Sequence, residues 1–491
     1  MKPIKGKAKL LLYGFSGFGV NLLNLMMGSY LCSALLKGGF KPADVPFQTF
    51  AQKDLVVAAA WAAFVLVAKI IDGIIDIPMA SFTDRLKSRW GRRRPTILIG
   101  LVALIASYLL FVLIIPNNGA TIGNTVFFGL VLCLFYAAYT LTMVTYYATF
   151  TEVVDNIDDR NFVSNVKSVA DIIYFIVGYV VVRMLLSGMN IKWVALIVLP
   201  ISLTMIIPMF MIKEESTKGK KLESETVNLF KSIAYTFKNK DFILWMVVYA
   251  FMTFGSQLFL GGINEYFSYT GMSMIYVMLG AFVPVPFTLM LYNYIIKKKG
   301  FGFAFRYTLI AYSVSMLALF GASFSPSGAV KLACGILGGV ICSFSIGAFF
   351  AVAYSIPSHL AAEDEKRTGI KHSAMYFAVQ GLFAGVATGL ATGVVLTALK
   401  QNGGAMTYLT VLCSVGCLVA FALSFILPKS INVLGKLGEA PLPTEASDSM
   451  AEATGNAQGA DNQSAADEPA TVEVAEQPVV DSVADDTAAE N

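Results

Sequence analysis

The stretch that decides the fold is Lys69-Ile70-Ile71-Asp72-Gly73-Ile74-Ile75-Asp76-Ile77-Pro78, within an apolar run from about Leu55 to Phe82. A run of this length is long enough to cross a bilayer as a helix. Three charges facing lipid there would cost about 8–10 kcal/mol, so these side chains must face other helices. At about 100° per residue, Lys69, Asp72 and Asp76 fall within an arc of about 60°. Two carboxylates and one ammonium on one face predict a site for a small cation.

A structural interpretation of the same residues also stands. Lys69 and Asp72 would form an ion pair that holds this helix to a neighbour, and Asp76 would be protonated or hydrogen-bonded. Two acids and one base do not form a neutral structural ion pair, because one carboxylate would have no counter-charge inside the membrane. We therefore favour the cation site.

Composition places most of the chain in the lipid bilayer. Of its 491 residues, 56% are hydrophobic and 14% are charged, whereas about 25% are charged in a typical soluble domain. The six cysteines fall inside predicted spans, where no disulfide or metal framework is implied. Lysines at the N-terminus run directly into a full-length span, so no cleavable signal peptide is expected.

The formal net charge of +4 hides an asymmetry along the chain. No Lys or Arg follows Lys436, whereas thirteen Asp and Glu residues do. This tail lacks aromatic residues and is expected to be disordered. The basic body suits an anionic inner leaflet rather than nucleic acid.

Apolar runs predict an all-α membrane protein with twelve transmembrane helices in two six-helix halves. The halves cover residues 1–212 and 241–430, with a cytoplasmic loop at 213–240 between them and the disordered acidic tail at 431–491. Two such halves around a midplane cavity describe the major facilitator fold. The predicted spans are residues 10–36, 55–81, 96–116, 121–150, 164–187, 192–212, 241–264, 272–296, 304–324, 329–356, 372–399 and 404–427.

Lysine and arginine residues in the loops predict the orientation. One side collects the N-terminal lysines, the turn at 85–94 and the clusters at 213–221 and 297–299. Both termini are therefore expected in the cytoplasm, with the chain in the inner (cytoplasmic) membrane. Arg183, near the outer end of the fifth span, is expected to extend toward the membrane interface. The outer side has mainly Lys37, Lys41, Lys53, Lys192, Lys331 and Lys400.

The run from Lys69 to Pro95 resembles the glycoside–pentoside–hexuronide:cation symporters, the melibiose permease group of the major facilitator superfamily. That pattern has a basic residue, two acids four apart, a proline after the second acid, and a charged turn that ends in Arg-Trp-Gly and further base. The start of the first span and the junction after the fourth span, with Glu152 and Asp159-Arg160, are also similar. The resemblance covers about residues 10–430.

By this resemblance, Asp72 and Asp76 match ligands of the coupling cation, Thr140 matches a neutral oxygen ligand, and Lys69 matches a basic neighbour. Sodium prefers several hard oxygen ligands, whereas a proton requires one carboxylate. The coupling ion is therefore expected to be Na+ or H+, with Na+ bound by Asp72 and Asp76 if it is sodium. No other cofactor is expected.

The sugar side of the family's site is different in this chain. The acid of the family's first helix aligns with Asn21, the acid of its fourth helix aligns near Met143, and the lysine of its eleventh helix aligns near Gly385. The loss of two acceptor-only carboxylates removes bidentate contacts to neighbouring hydroxyls. A small sugar or another polar metabolite remains open as the substrate.

Several polar and aromatic residues are candidates for the cavity wall, since sugar sites combine aromatic faces with polar edges. Tyrosine in a membrane protein also serves as packing or as an interfacial anchor. Lys167 and Asp171, four residues apart, also have the spacing of a helical ion pair. The candidates are Asn21, Asn24, Tyr139, Tyr146, Tyr147, Lys167, Asp171 and Gln380.

The charged turn after the second span resembles the cytoplasmic gate motif of the superfamily. Its charges are expected to latch the two halves on the cytoplasmic side, in addition to setting the topology. The candidate gate residues are Asp84, Arg85, Arg89, Arg92, Arg93, Glu152 and Arg160.

The sequence therefore predicts a cation-coupled sugar or glycoside symporter that works by alternating access. This fold generally works as a monomer, so a monomer is expected. Relatives on the same superfamily branch carry lysolipids, so a lysolipid or other non-sugar cargo is an alternative. A non-transporting sensor would need an output domain, and an enzyme would need a cluster of catalytic residues. The sequence shows neither, with only His359 and His372 as histidines.

Overall fold

The computed structural model describes residues 4–75, 78–79, 83, 86–153, 157–217, 239–368, 373–402 and 404–434. The described residues are almost entirely helical, and their only β-pairing is one isolated bridge between Val56 and Thr121. Ten helices among them are long and apolar enough to cross a membrane. Two further helices coincide with the second and fifth predicted spans, so the prediction of an all-α membrane protein is confirmed.

We number the membrane helices α1 to α12 in chain order. The first six are α1 (Lys7–Leu35), α2 (Ala58–Ile74), α3 (Arg93–Leu113), α4 (Ile122–Val153), α5 (Ile157–Ile176, Val177–Val181 and Val182–Leu185 in succession) and α6 (Ile191–Met211). The last six are α7 (Lys240–Thr270), α8 (Met274–Lys299), α9 (Phe301–Ser323), α10 (Gly328–Thr368), α11 (Ser373–Thr388, Gly389–Val395 and Leu396–Gln401 in succession) and α12 (Ala405–Ile426).

Local sequence explains the ends of the long helix α7. The side chain of Asn239 accepts hydrogen bonds from the backbone N–H groups of Asp241 and Phe242, which satisfies donors that the first helical turn leaves free. Gly271 ends the helix with φ of 70°, a left-handed conformation that favours glycine. The helix therefore continues to Thr270, six residues beyond the predicted end at 264.

Three helices widen into π-helical turns, at Met26–Leu31 in α1, Val177–Val181 in α5 and Gly389–Val395 in α11. A π-helical turn inserts one residue per turn and rotates the side chains that follow, and such turns are frequent at functional sites. Each of the three contributes side chains to the same internal cavity, described below.

Among the described residues, the two predicted halves meet mainly along three helix pairs. Helices α2 and α11 approach closely at Gly73 and Gly381, because neither residue has a Cβ atom. Helices α5 and α8 meet at Phe175 and Phe282, whose ring centroids are 5.2 Å apart. Helices α1 and α7 meet near their outer ends. The cavity lies between these contacts.

A hydrogen-bonded layer joins the halves on the predicted outer side. Arg183 of α5 donates to the Asn264 side chain at 2.9 Å, and Asn264 of α7 donates to Gln48 at 2.7 Å. Ser268 of α7 hydrogen-bonds Asp44, and its hydroxyl accepts from the Lys41 backbone N–H at 3.2 Å. In the described residues, the outer side is therefore closed over the cavity.

Candidate substrate and cation site

The cavity between the halves is a polar chamber of about 230 Å³. Helices α1, α2, α4, α5, α7 and α11 all contribute to its wall. Its polar lining includes Asn21, Asn24, Lys69, Gln257, Thr392 and Lys400. Because groups from both halves converge on one cavity, a small polar molecule there would contact both halves at once.

Asp72 lies at the centre of a charged network next to the chamber, and Lys69 and Tyr136 of this network line the chamber. Its Oδ2 forms an ion pair with Lys69 Nζ at 3.3 Å, and its Oδ1 accepts a hydrogen bond from Thr140 Oγ1 at 3.3 Å. Lys69 Nζ also lies 3.7 Å from the ring centroid of Tyr136. The structure thus brings together three of the four residues predicted for the cation site, while Asp76 lies outside the described residues.

The network supplies part of what a small cation needs. Asp72 and Thr140 bring hard oxygen atoms together, which is the ligand type that sodium prefers. Each Asp72 oxygen already has a partner, so an incoming cation would compete with Lys69, and the Thr140 hydroxyl would have to turn its proton away. No group of three His, Cys, Asp or Glu side chains positioned to hold a metal ion occurs among the described residues.

Three of the predicted substrate residues form a second network, on α1, α4 and α5. The Asn21 amide donates to Asp171 Oδ1 at 3.3 Å, and its carbonyl oxygen accepts from the Tyr139 hydroxyl at 3.1 Å. Asn21 lines the polar chamber. Its orientation is therefore fixed by two neighbouring helices, which is the arrangement needed to hold one polar edge of a ligand.

Lys167 lies near this network but does not pair with Asp171, although their spacing allowed an ion pair. Its Nζ is instead 4.0 Å from the ring centroid of Tyr147. The atom is buried and has no hydrogen-bond partner among the described residues. The ring face of Tyr147 provides its nearest favourable contact.

Tyr146 and Gln380 connect helices instead of facing the chamber. The Tyr146 hydroxyl donates to the Tyr13 carbonyl at 2.5 Å. The Gln380 carbonyl oxygen accepts from Trp245 Nε1 at 3.2 Å, and its amide donates to the Ala353 carbonyl. Asn24, in contrast, lines the chamber as predicted, and its side chain makes no hydrogen bond among the described residues.

Charged residues near the outer ends of two helices have partners within the protein. Lys400, predicted on the outer side, forms a buried ion pair with Glu265. Arg183, expected to extend toward the membrane interface, donates to the Asn264 side chain in the hydrogen-bonded layer on the predicted outer side. The loop charges did not predict these partners.

Gln257 is a further chamber residue that sequence reasoning missed. It lies on α7 and lines the polar chamber. An amide within an apolar helix was the available signal, since a polar side chain in a span usually faces the bundle interior.

The predicted cytoplasmic gate lies mostly beyond what the structure describes. Asp84 and Arg85 are outside the described residues, as are the side chains of Glu152 and Arg160. Arg89 is exposed, and the Arg93 backbone N–H donates to Glu214 at 2.9 Å. The described part of the turn, which includes Arg92, therefore packs on the segment after α6.

A family model described as MFS/sugar transport protein matches residues 12–430. The nucleoside transporter NupG superposes with a TM-score of 0.62 at 15% sequence identity, over 86% of this chain and 100% of that chain. A bacterial homologue of the human lysosomal transporter Spinster, in an inward-facing conformation, superposes with a TM-score of 0.55 at 12% identity, over 87% of this chain and 97% of that chain. No curated protein sequence matches the chain.

The family match, together with the fold, defines a multi-pass membrane transporter of the major facilitator superfamily, and not an enzyme. Because the family model matches most of its length, the chain belongs to the MFS/sugar transport protein family. The structural likenesses show the fold alone, and the narrower resemblance to the glycoside–pentoside–hexuronide group remains a prediction.

Proposed function

We propose that the protein is a secondary active transporter that couples the entry of Na+ or H+ to the symport of a sugar or glycoside. The observation that carries this proposal is the ion pair between Asp72 and Lys69, because Lys69 lines the polar chamber. The Asp72 carboxylate is shared between Lys69 and Thr140 on the neighbouring helix. A change in the charge of the Asp72 carboxylate therefore alters the ion pair of Lys69, whose side chain lines the chamber.

The same network suggests how the two ligands are coupled. A cation that binds Asp72, together with Asp76 if it is sodium, competes with the Lys69 ammonium for the carboxylate. Lys69 then gains freedom to donate a hydrogen bond into the chamber, where sugar hydroxyls are suitable acceptors. Each ligand raises the affinity for the other by the same factor, since binding couplings are reciprocal.

Transport then requires the halves to rock about the bound ligands. The outer layer, with Arg183 on Asn264 and Ser268 on Asp44, must separate to admit substrate from outside. We place both termini in the cytoplasm, the chain in the inner membrane and the working unit as a monomer, from the loop charges and the fold.

Uptake by purified protein in proteoliposomes tests the proposal. Labelled mono- and disaccharides, pentosides and hexuronates are offered with an imposed sodium or proton gradient, beside a nucleoside and a lysolipid. Accumulation of one sugar under one gradient supports the proposal and identifies the ion. Accumulation of only the nucleoside or the lysolipid would overturn the assignment of a sugar substrate, and the protein would still be a transporter.

The variant Asp76→Asn separates the cation site from the structural ion pair. We expect it to insert and fold normally but to lose cation-driven accumulation. Loss of the folded protein would instead favour the structural interpretation of the Lys69–Asp72 pair. Asp241→Asn, in the first turn of α7, is the matched control, because Asp241 lies outside the chamber lining.

A further inference from the structure

A second chamber of about 270 Å³ lies beside the polar one. Its wall is built by α5, α7, α8, α9 and α10, so most of it belongs to the predicted C-terminal half. Phe175, Gln257 and Leu260 line both chambers. The two chambers are therefore neighbours that share these three side chains.

The second chamber has a different chemistry, and we call it the apolar chamber. Few of its residues are polar, and the hydroxyls of two of them are used within the protein. The Tyr312 hydroxyl donates to the Gly255 carbonyl, and the Ser256 hydroxyl donates to the Thr253 carbonyl, both at 3.1 Å. A polar ligand group would thus find few partners there. The apolar lining includes Met252, Val277, Met278, Met316, Leu319 and Ile346.

A cluster of near-parallel aromatic rings lies where the chambers adjoin. The Phe175 and Phe282 ring centroids are 5.2 Å apart with planes inclined by 15°, and both residues line the apolar chamber. Tyr179, which lines the polar chamber, is 6.0 Å from Phe282 with planes inclined by 10°. Aromatic side chains favour contact with another ring, edge to face or by offset stacking.

The size of the apolar chamber fits a ring system. An apolar cavity of about 150 Å³ is sufficient to bind benzene, and the apolar chamber exceeds it. The two chambers together fall within the range of roughly 300–1,000 Å³ that small-molecule sites occupy. A monosaccharide with an attached ring is of the right order to occupy both.

Gln257 stands at the junction of the two chambers. Its side-chain amide makes no hydrogen bond among the described residues, although it lines both cavities. An amide can donate and accept at once. The Gln257 amide is therefore placed to hydrogen-bond the oxygen atoms at the bond that joins a sugar to an apolar group.

We infer that the apolar chamber is a subsite for a flat, apolar ring carried by the substrate, whose sugar occupies the polar chamber. This inference rests on the proposed function and narrows its substrate class to glycosides with an aromatic or other apolar ring aglycone. A nucleobase fits less well, because its buried amide and amino groups would lack partners beside the apolar lining. An acyl chain has no ring face, so it would gain no stacking contact with the Phe175 and Phe282 rings.

Paired ligands test the inference. Methyl and phenyl glycosides of the same sugars, namely glucose, galactose and xylose, are compared for uptake into proteoliposomes under the better gradient. For the sugar that is carried, we expect the phenyl glycoside to have a KM about tenfold lower than the methyl glycoside, because the ring is buried. Equal KM values for the pair would overturn the inference and leave the proposed function standing.

A cavity-filling variant locates the effect. Ala281 lines the apolar chamber and is absent from the polar lining, so Ala281→Trp should remove the phenyl advantage and leave methyl glycoside uptake unchanged. Val283→Trp, two residues away on the exposed face of α8, is the matched control. If Ala281→Trp does not fold, Ala281→Leu should reduce the advantage in part. An undiminished advantage in a folded variant would overturn the assignment to this chamber.

Two other outcomes separate the inference from the proposed function. If the protein took up a nucleoside but neither the methyl nor the phenyl glycosides, both the inference and the sugar assignment of the proposed function would be overturned. In the second outcome, a lysophospholipid competes with glycoside uptake while the phenyl glycoside shows no lower KM than the methyl glycoside. If Ala281→Trp abolished that competition, the apolar chamber would be assigned to an acyl chain, and the inference of a ring subsite would be overturned.

Discussion

Lys400 on α11 forms an ion pair with Glu265 on α7 inside the bundle, where their side chains are only 4% and 0% exposed. Ser33 on α1 accepts a hydrogen bond from Lys400 at 2.8 Å and donates one to Glu265. Ser33 belongs to the predicted N-terminal half and the charged pair to the C-terminal half. The three residues therefore hold the halves together at the outer end of the polar chamber.

Removing one charge of this pair should destabilise the protein strongly. In Glu265→Gln, the Lys400 ammonium remains buried without its counter-charge, at an expected cost of about 3–5 kcal/mol in the free energy of unfolding. Lys400→Met should also destabilise. The double variant should cost less than the two single variants added together, because neither charge remains. Thermal unfolding of the four proteins in detergent gives the coupling.

Lys331→Met provides the control for the loss of a lysine at the same end of the bundle. Its ammonium donates to the Thr270 carbonyl at 3.1 Å and has no carboxylate partner in the described residues. We expect a change of less than about 1 kcal/mol. If the stability losses of Glu265→Gln and Lys400→Met simply added up in the double variant, the two charges would have no coupling energy.

Asp72 and Lys69 should affect cation dependence in different ways. Asp72→Asn removes the charge that attracts the cation, so we expect substrate uptake that no longer responds to sodium or to pH. Lys69→Gln removes the competitor at Asp72 Oδ2, so we expect the cation to bind more tightly while its coupling to substrate weakens. Uptake measured against cation concentration checks both.

The structural interpretation of this pair makes the opposite prediction. If Lys69 and Asp72 serve only as a lock, both variants should lower the unfolding temperature, and transport should fall in proportion to the folded protein that remains. Lys69→Arg, which retains the positive charge, should then behave like the unsubstituted protein. A retained cation response in folded Asp72→Asn would contradict the cation site.

The second span shows what the sequence could predict about the site. Charged residues within an apolar run must face protein, so the orientation of Lys69 and Asp72 toward the bundle followed from the cost of exposure to lipid. The contact between Asp72 and Thr140 joins two helices, and it was expected only through the family resemblance. Asn21 and Asn24 were predicted from the polar edges that a sugar site needs, and both line the polar chamber.

Glu265 and Lys400 show why other parts of the site stayed hidden. Each lies near the end of a helix, where a charged residue usually reaches water, and the pair is formed by residues 135 positions apart. The sequence also placed the end of the seventh span before Glu265, whereas Asn239 and Gly271 set the true ends of that helix. Such a pairing depends on how two halves dock, which no local pattern contains.

Tyr146 and Gln380 illustrate a second difficulty. A polar side chain in a membrane helix must face protein, yet that requirement does not say whether it meets a neighbouring helix or the cavity. The rotation of each helix about its own axis decides this, and packing against neighbouring helices sets that rotation.

The close approach of α2 and α11 should not tolerate a side chain at Gly73. A Cβ atom there would collide with the backbone of Gly381, and one at Gly385 would collide with the Lys69 carbonyl. Gly73→Val should therefore lower the free energy of unfolding by about 1–3 kcal/mol and abolish transport. Gly321→Val on α9 is the matched control, since a Cβ atom there meets no other atom within 4 Å. Wild-type stability in Gly73→Val would contradict this helix contact.

Two amides in the chamber should act on the substrate without supporting the fold. Asn24 and Gln257 line the polar chamber from α1 and α7, and neither side chain makes a hydrogen bond among the described residues. Asn24→Leu and Gln257→Met should each raise KM about tenfold through a lost hydrogen bond to the substrate. The unfolding temperature should stay unchanged.

Gln380→Met supplies the contrast, because both ends of its amide are occupied within the protein. Its loss leaves the Trp245 indole N–H buried without an acceptor, which should cost about 1–3 kcal/mol in the free energy of unfolding. Its KM should stay close to the unsubstituted value. Uptake kinetics and thermal unfolding of the three variants distinguish the two roles. A raised KM with unchanged stability in Gln380→Met would return Gln380 to the substrate site that the sequence predicted for it.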